Sequence, residues 1–148
     1  MKEKINASAI PDAYLLCLNQ DCPKATGCLR RIAEQQISDK VRLWRVISPK
    51  YQKNQTGDCP YFRPSGKQTY ALGFIGMLEQ MPYRQMQEAA SRLLNHFGRR
   101  TYYRVRKGER PLSPNEQKSI LNILENILEQ CGIGDPGKFD TYFETYDW

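Results

Sequence analysis

Four cysteines near the start of the chain are the side chains with the clearest capacity for chemistry. They are Cys17, Cys22, Cys28 and Cys59, which gives the spacing C-x4-C-x5-C-x30-C. Thiolates are preferred ligands of tetrahedral zinc and of iron–sulfur clusters. Three ligands that are close in sequence, with a fourth from a distant loop, predict a metal site with four cysteine ligands.

A structural zinc ion is the first interpretation of these cysteines, because four thiolates leave no open position for a substrate. An iron–sulfur cluster, redox chemistry and unliganded buried thiols are the alternatives, since free cysteine also packs as a small apolar residue. The odd count of five cysteines argues against a complete disulfide framework. The fifth, Cys131, is expected in the core because it continues an apolar helical stripe.

The second candidate for chemistry is a basic run after Gly98. Residues 99–110 contain six basic residues and one acidic residue, interleaved with tyrosines. Arginine binds phosphate and guanine with paired donors, and tyrosine bonds phosphate or stacks on a base. As a helix, this run would bury Tyr102 and Val105. As a strand, its successive side chains would point to opposite faces. The helices predicted on either side of the run favour the helix. A helix would place Arg99, Arg100, Tyr103, Arg104 and Lys107 on its outward side, where they could contact a nucleic acid.

A solvated basic face is the alternative interpretation of this run, since charged stretches usually face solvent. An acidic protein partner is another. The net charge of +6 and the pI of about 9.1 favour anionic partners in general.

The pattern of predicted helices and strands that position these residues indicates a mainly α fold in one compact domain, residues 1–148. Residues 1–69 form a loop-rich, cysteine-bearing subregion, and residues 70–148 form a helical bundle. The first subregion is expected to contain a helix over 23–36 and a short strand over 41–47. The bundle is expected to contain a short helix from Leu72 that ends before Pro82, a second over 82–97, and a third that begins at the capping box Ser113–Glu116. The aromatic tail from Phe139 to Trp148 is expected to pack against the core.

Several function classes lack support in the sequence. There is no phosphate-binding glycine loop, nucleophile elbow or His–carboxylate metal pair, so we expect no catalytic residues, no enzyme activity and no small-molecule substrate. No apolar run has the length of a membrane span, and no hydrophobic signal region follows the first residues. We therefore expect a cytoplasmic protein without a membrane partner.

The order of elements in residues 82–131 resembles helix-turn-helix proteins of the phage-repressor (Cro-like) type. A helix ends at Phe97, a turn lies at Gly98, a basic helix runs to Lys107, and a capped helix follows Gly108. The resemblance implies a DNA-binding regulator whose second motif helix enters the major groove. It also implies nucleic-acid-binding roles for six residues, with Arg99, Arg100, Tyr103 and Arg104 facing DNA and Lys107 and Arg110 on phosphates.

The chain as a whole resembles a family of bacterial proteins of unknown function. The resemblance rests on segments that span nearly the whole length: Cys28-Leu29-Arg30, Cys59-Pro60-Tyr61-Phe62, the run from Phe97 to Pro111, Ser113-Pro114-Asn115-Glu116-Gln117 and Tyr146-Asp147-Trp148. This family implies no activity. The sequence therefore predicts a nucleic-acid-binding regulatory protein with a structural four-cysteine metal site. The alternative is a protein–protein adaptor that uses the basic run and the aromatic tail without binding nucleic acid.

Overall fold

The computed structural model describes residues 4–148, and the chain divides into two compact units. The first unit comprises the described residues up to Lys67 together with Tyr146–Trp148, and the second comprises Gln68–Thr145. Within the described residues there are six α-helices and four short strands. Helix therefore predominates as the sequence predicts, but each unit also contains a pair of strands.

The first unit is built around a short parallel strand pair. Strand β1 (Leu15–Leu16) pairs with β2 (Arg45–Val46), and two helices, α1 (Leu29–Gln36) and α2 (Pro49–Asn54), accompany them. Its small core is assembled from both ends of the chain: Ile5, Tyr14, Leu16, Leu29 and Ala33 are buried, and Tyr146 and Trp148 pack against them.

Helix α1 begins later than the sequence predicts. A helix from Pro23 was expected, but residues Ala25–Gly27 form only a 3-10 turn and Cys28 has an extended backbone. Cys28 forms a β-bridge with Pro64, and the Leu29 N–H donates to the Arg63 carbonyl at 2.7 Å. Pairing with a distant segment therefore overrides the local helical preference before Leu29.

The strand predicted over residues 41–47 is also shorter than expected. Only Arg45–Val46 pairs, because its partner β1 has two residues. Ile47 is buried, whereas Val41 and Trp44 are exposed and Leu43 is 90% exposed. The apolar residues before β2 therefore lie at the surface rather than in a sheet.

The second unit combines four helices with an antiparallel strand pair. Strand β3 (Gln68–Leu72) pairs with β4 (Thr141–Thr145), so that Leu72 lies opposite Thr141. The helix predicted from Leu72 is therefore wrong at its start, and α3 spans only Ile75–Glu79. The tail prediction is confirmed, since β4 joins this sheet and Tyr146 and Trp148 join the first core.

The remaining helices of the second unit are α4 (Tyr83–Phe97), α5 (Arg99–Lys107) and α6 (Pro114–Glu129). The capping box is confirmed: the Ser113 hydroxyl accepts from the Glu116 N–H, and the Glu116 carboxylate accepts from the Ser113 N–H at 3.0 Å. These helices bury a continuous apolar core that includes Phe74, Leu93, Val105, Ile120 and Leu124.

The core position predicted for Cys131 is wrong. Helix α6 ends at Glu129, and Cys131 is exposed, with its Sγ accepting a hydrogen bond from the Gln85 amide at 2.7 Å. The helix gives way to a turn at Gln130, one residue before Cys131, so the helical stripe does not extend to this cysteine. In the part of the chain that the structure describes, no helix combines the length and apolar character needed to span a membrane.

Candidate functional site

The four cysteines singled out by the sequence line one cavity in the first unit. The cavity has a volume of about 160 Å³, and Cys17, Cys22, Cys28 and Cys59 all contribute to its wall. Cys17 and Cys28 are buried, and Cys22 and Cys59 are half-buried. Across residues 4–148, no three His, Cys, Asp or Glu side chains are placed so that they could hold a metal ion. The four thiols therefore line the cavity wall without converging on one point.

Backbone pairing brings the four cysteines to this cavity from distant segments. Cys17 directly follows β1, and its N–H donates to the Arg30 carbonyl of α1 at 3.4 Å. Cys28 precedes α1, where its bridge with Pro64 aligns the loop that contains Cys59. The Phe62 N–H donates to the Cys59 carbonyl at 3.2 Å, which turns this loop back on itself.

Arg30 connects the segments around the cavity, although it is absent from the residues that the sequence predicts for the site. Its guanidinium donates to the Tyr61 carbonyl at 2.8 Å and to the Leu15 carbonyl at 2.9 Å, and it lies 4.9 Å from the centre of the Tyr14 ring. Arg30 is only 8% exposed and lines the cavity. The signal that could have identified it is an arginine beside the apolar side of the predicted helix.

An ion pair at the surface joins the chain segments of two of the cysteines. Lys24, two residues after Cys22, donates to the Asp58 carboxylate at 2.7 Å, and Asp58 directly precedes Cys59. The hydrogen bond lowers the pKa of Asp58 and raises the pKa of Lys24. Because both side chains are solvated, this contact adds little stability, but it helps to position the loop.

Helix α2, which the sequence did not predict, supplies amide groups to the cavity wall. The Gln52 Nε2 donates to the Cys17 Sγ at 3.0 Å. Gln55, just after the helix, also lines the cavity, but its amide donates to the Asp58 carbonyl at 3.0 Å. The Cys17 sulfur therefore already accepts a hydrogen bond from the cavity wall.

The basic run forms helix α5, which confirms the choice of helix over strand for residues 99–107. Its apolar face buries Tyr102 and Val105, and burial raises the pKa of Tyr102 against the opposing effect of the Arg106 charge. The opposite side, here named the α5 basic face, is exposed and consists of Arg99, Arg100, Tyr103, Arg104 and Lys107.

The remaining residue of the predicted nucleic-acid set lies outside this face. Arg110 follows α5, is partly buried and donates to the Glu116 carboxylate at 2.9 Å. By contrast, no ion pair involves the four cations of the α5 basic face within the described part of the chain: Arg99, Arg100, Arg104 and Lys107. Their charges therefore face solvent.

The connection between α4 and α5 is a single residue. Helix α4 ends at Phe97 and α5 begins at Arg99, so only Gly98 separates them. The helix-turn-helix motif uses a turn of three to four residues. The resemblance to Cro-like helix-turn-helix proteins is therefore not supported.

Comparison with known proteins identifies a family without identifying an activity. The model of the "Family of unknown function (DUF6078)" matches residues 1–148. Neither the curated proteins nor the solved structures contain a significant match to the chain.

Proposed function

Because this chain belongs over its whole length to a family of unknown function, DUF6078, we propose a function from its own side chains. The protein binds nucleic acid through the α5 basic face, and the four cysteines of the first unit hold a structural metal centre. The observation that carries the nucleic-acid proposal is the pair of exposed arginines, Arg99 and Arg100, in the first turn of α5.

The position of this pair conflicts with the electrostatics of an isolated helix. The amino end of a helix carries partial positive charge, so acidic residues stabilise the first turn and cations destabilise it. The first turn of α5 has no acidic residue, and Gly98 offers no side-chain cap to its N–H groups. An anion at this end would relieve both unfavourable features, and backbone N–H groups together with arginines are a typical phosphate site.

The other cations of the face have a simpler explanation. Arg104 and Lys107 lie in the last turn of α5, where positive charge complements the helix dipole. They extend the basic surface by about two helical turns, and Tyr103 lies between the two groups with 40% of its area exposed. A basic surface that can follow a phosphate backbone, with an aromatic ring on which a base can stack, suits a nucleic acid.

The test measures binding of the full chain to a labelled DNA duplex, and to one of its strands, over a range of salt concentrations. The variant Arg100→Ala/Arg104→Ala is expected to lose at least tenfold in affinity and to reduce the log–log salt slope by roughly 1.8, or about 0.9 per phosphate contact. The matched control Arg84→Ala/Lys118→Ala removes two exposed charges from α4 and α6. Equal losses in both variants, or none in either, would reject the α5 basic face as the binding site.

A second candidate function, the adaptor, is favoured by the exposed segment before β2. Leu43 is 90% exposed, Val41 45% and Trp44 43%, and the basic residues Lys40, Arg42 and Arg45 alternate with them. Apolar side chains flanked by cations suit an acidic protein segment. Under this hypothesis, the wild-type chain captures one protein partner from nuclease-treated lysate. The variant Leu43→Ser/Trp44→Ser loses this partner, whereas Arg100→Ala/Arg104→Ala retains it.

A further inference from the structure

We propose that the four-cysteine cavity holds an iron–sulfur cluster rather than a single zinc ion. This inference rests on the metal centre proposed above and specifies its chemical class. Three observations support it: the volume of the cavity, a buried cation on its wall, and the hydrogen bond that one cysteine sulfur already accepts.

The volume of the cavity distinguishes a cluster from a single ion. A space of about 160 Å³ lies within the wall to which all four cysteines contribute. A single water molecule needs only about 10–15 Å³ of such space, so the cavity has room for several waters. A tetrahedral zinc ion lies about 2.3 Å from each sulfur and needs no such cavity. An inorganic core of several iron and sulfide atoms fills a space of this size and takes four cysteine thiolates as its ligands.

The charge of the wall indicates that the contents of the cavity are anionic. Arg30 is 8% exposed, yet its hydrogen bonds go to neutral carbonyls, and no carboxylate pairs with it among residues 4–148. Buried charges are normally paired, because an uncompensated one is costly in a medium of low dielectric constant. Lys24 and Arg31 also line the cavity, but each forms an ion pair with a carboxylate, Lys24 with Asp58 and Arg31 with Glu34, so the uncompensated charge on the wall is that of Arg30.

Neutral thiols would leave the Arg30 charge without compensation. Four thiolates around a cluster carry net negative charge, and Arg30 connects the backbones beside Cys17 and Cys59. Cluster assembly requires ferrous or ferric iron and sulfide from outside the protein, and each cysteine loses its thiol proton when its sulfur binds iron. Arg30 would act as a positioning residue that also offsets this charge.

The Gln52 amide completes the arrangement. Its Nε2 donates to the Cys17 Sγ at 3.0 Å. N–H donors to cysteine sulfur are one of the features by which proteins set the potential of an iron–sulfur cluster. The wall therefore already provides one such donor to a ligand sulfur.

The experiment is anaerobic purification of the full chain from iron-supplemented cells, with iron, zinc and acid-labile sulfide measured per chain. The expected result is a brown protein with iron and sulfide in nearly equal amounts and a new signal in electron paramagnetic resonance after oxidation or reduction. Stoichiometric zinc without sulfide would overturn the cluster but retain the proposed metal centre. Five titratable thiols and no metal, even after anaerobic addition of iron and sulfide, would overturn both the cluster and the proposed metal centre. DNA binding is measured in a separate experiment.

Variants at single cysteines locate the cluster. Cys22→Ser and Cys59→Ser are expected to lose at least half of the bound iron, whereas Cys131→Ser retains all of it because this exposed cysteine lies in the second unit. Far-UV circular dichroism monitors folding. If a ligand variant does not fold, wild-type protein whose cysteines have been alkylated takes its place. Iron and sulfide are added to this protein and to unmodified protein as the control, and the comparison shows whether cysteine thiols bind the iron. Unchanged iron binding without accessible thiols would overturn the assignment.

Discussion

The Gln52 side chain donates a hydrogen bond to the Cys17 sulfur, 3.0 Å from Nε2 to Sγ. The contact joins α2 to the residue that follows β1, across 35 positions of sequence. It links the polar wall of the cavity directly to a cysteine, and it provides a test of how this wall would act on a bound cluster.

In the iron-loaded protein, Gln52→Leu is expected to lower the reduction potential of the cluster. An N–H donor to sulfur stabilises the more negative reduced state, and a net contribution of about 0.5–1.5 kcal/mol corresponds to roughly 20–60 mV for one electron. Protein-film voltammetry measures the shift. The control is Gln55→Leu, because the Gln55 amide donates to a carbonyl instead. Equal shifts in the two variants would show that the Gln52 bond has no specific effect.

The stability of the first unit is expected to fall at alkaline pH because of Tyr14. Burial of this 7% exposed side chain raises the pKa of Tyr14 to about 12. The folded-state pKa therefore exceeds the unfolded value of about 10, so the stabilising contribution is complete below pH 10 and is lost as the pH rises toward 12. The loss amounts to about 2–3 kcal/mol at most.

The variant Tyr14→Phe tests this contribution. The Tyr14 hydroxyl is buried without a hydrogen-bond partner among the described residues, so its removal is expected to change stability at pH 7 by less than about 1 kcal/mol. Urea unfolding followed by tryptophan fluorescence reports on the first unit, because Trp44 and Trp148 both belong to it. The variant is expected to keep more stability above pH 10 than Tyr83→Phe, which alters an exposed tyrosine. The same alkaline loss in both variants would contradict the explanation.

Gly73 is expected to be among the least replaceable residues of the second unit. Its φ is +73°, and an added Cβ would lie 2.6 Å from the Asp140 Oδ2 atom. The Asp140 carboxylate accepts from the N–H groups of Ile75 and Gly76 at 3.1 Å each, so the clash would disturb the start of α3. We expect Gly73→Ala to lower the free energy of unfolding by about 3 kcal/mol or more.

The control for this substitution is Gly132→Ala, in the same unit. Gly132 has a similar φ of +65°, but no atom lies within 4 Å of the position that an added Cβ would occupy. Backbone strain alone is expected to cost about 1–2 kcal/mol there. Urea unfolding monitored by far-UV circular dichroism compares the two variants, and a smaller loss for Gly73→Ala would contradict the proposed steric clash.

The capping box of α6 provides a test of local stability. Ser113→Ala removes the acceptor of the Glu116 N–H and is expected to cost about 1 kcal/mol. Ser119→Ala is the matched control, because Ser119 lies inside the same helix and its hydroxyl donates to the Asn115 carbonyl. Alanine favours the helix interior, so this control is expected to be neutral or slightly stabilising in thermal unfolding. Similar losses in both variants would argue against a capping contribution.

Short-range signals were sufficient for much of the second unit. Helix α4 ends at Phe97, just before Gly98, and α6 begins at the Ser113 capping box as the sequence predicts, because both boundaries depend on residues within one turn of the chain. The burial of Tyr102 and Val105 likewise follows from helical periodicity alone. Strand β3 was missed because its partner β4 lies about seventy residues away, and this pairing outweighs the local helical preference at Leu72.

For the candidate site, residue type and spacing alone selected the four cysteines that share the cavity, because the residue types that bind metal are few. The tertiary structure decided everything around them. Arg30 lies on the wall because two distant carbonyls accept its hydrogen bonds, and Gln52 reaches Cys17 because an unpredicted helix packs there. Such contacts depend on segments that meet only after folding, so no pattern of neighbouring residues could determine them.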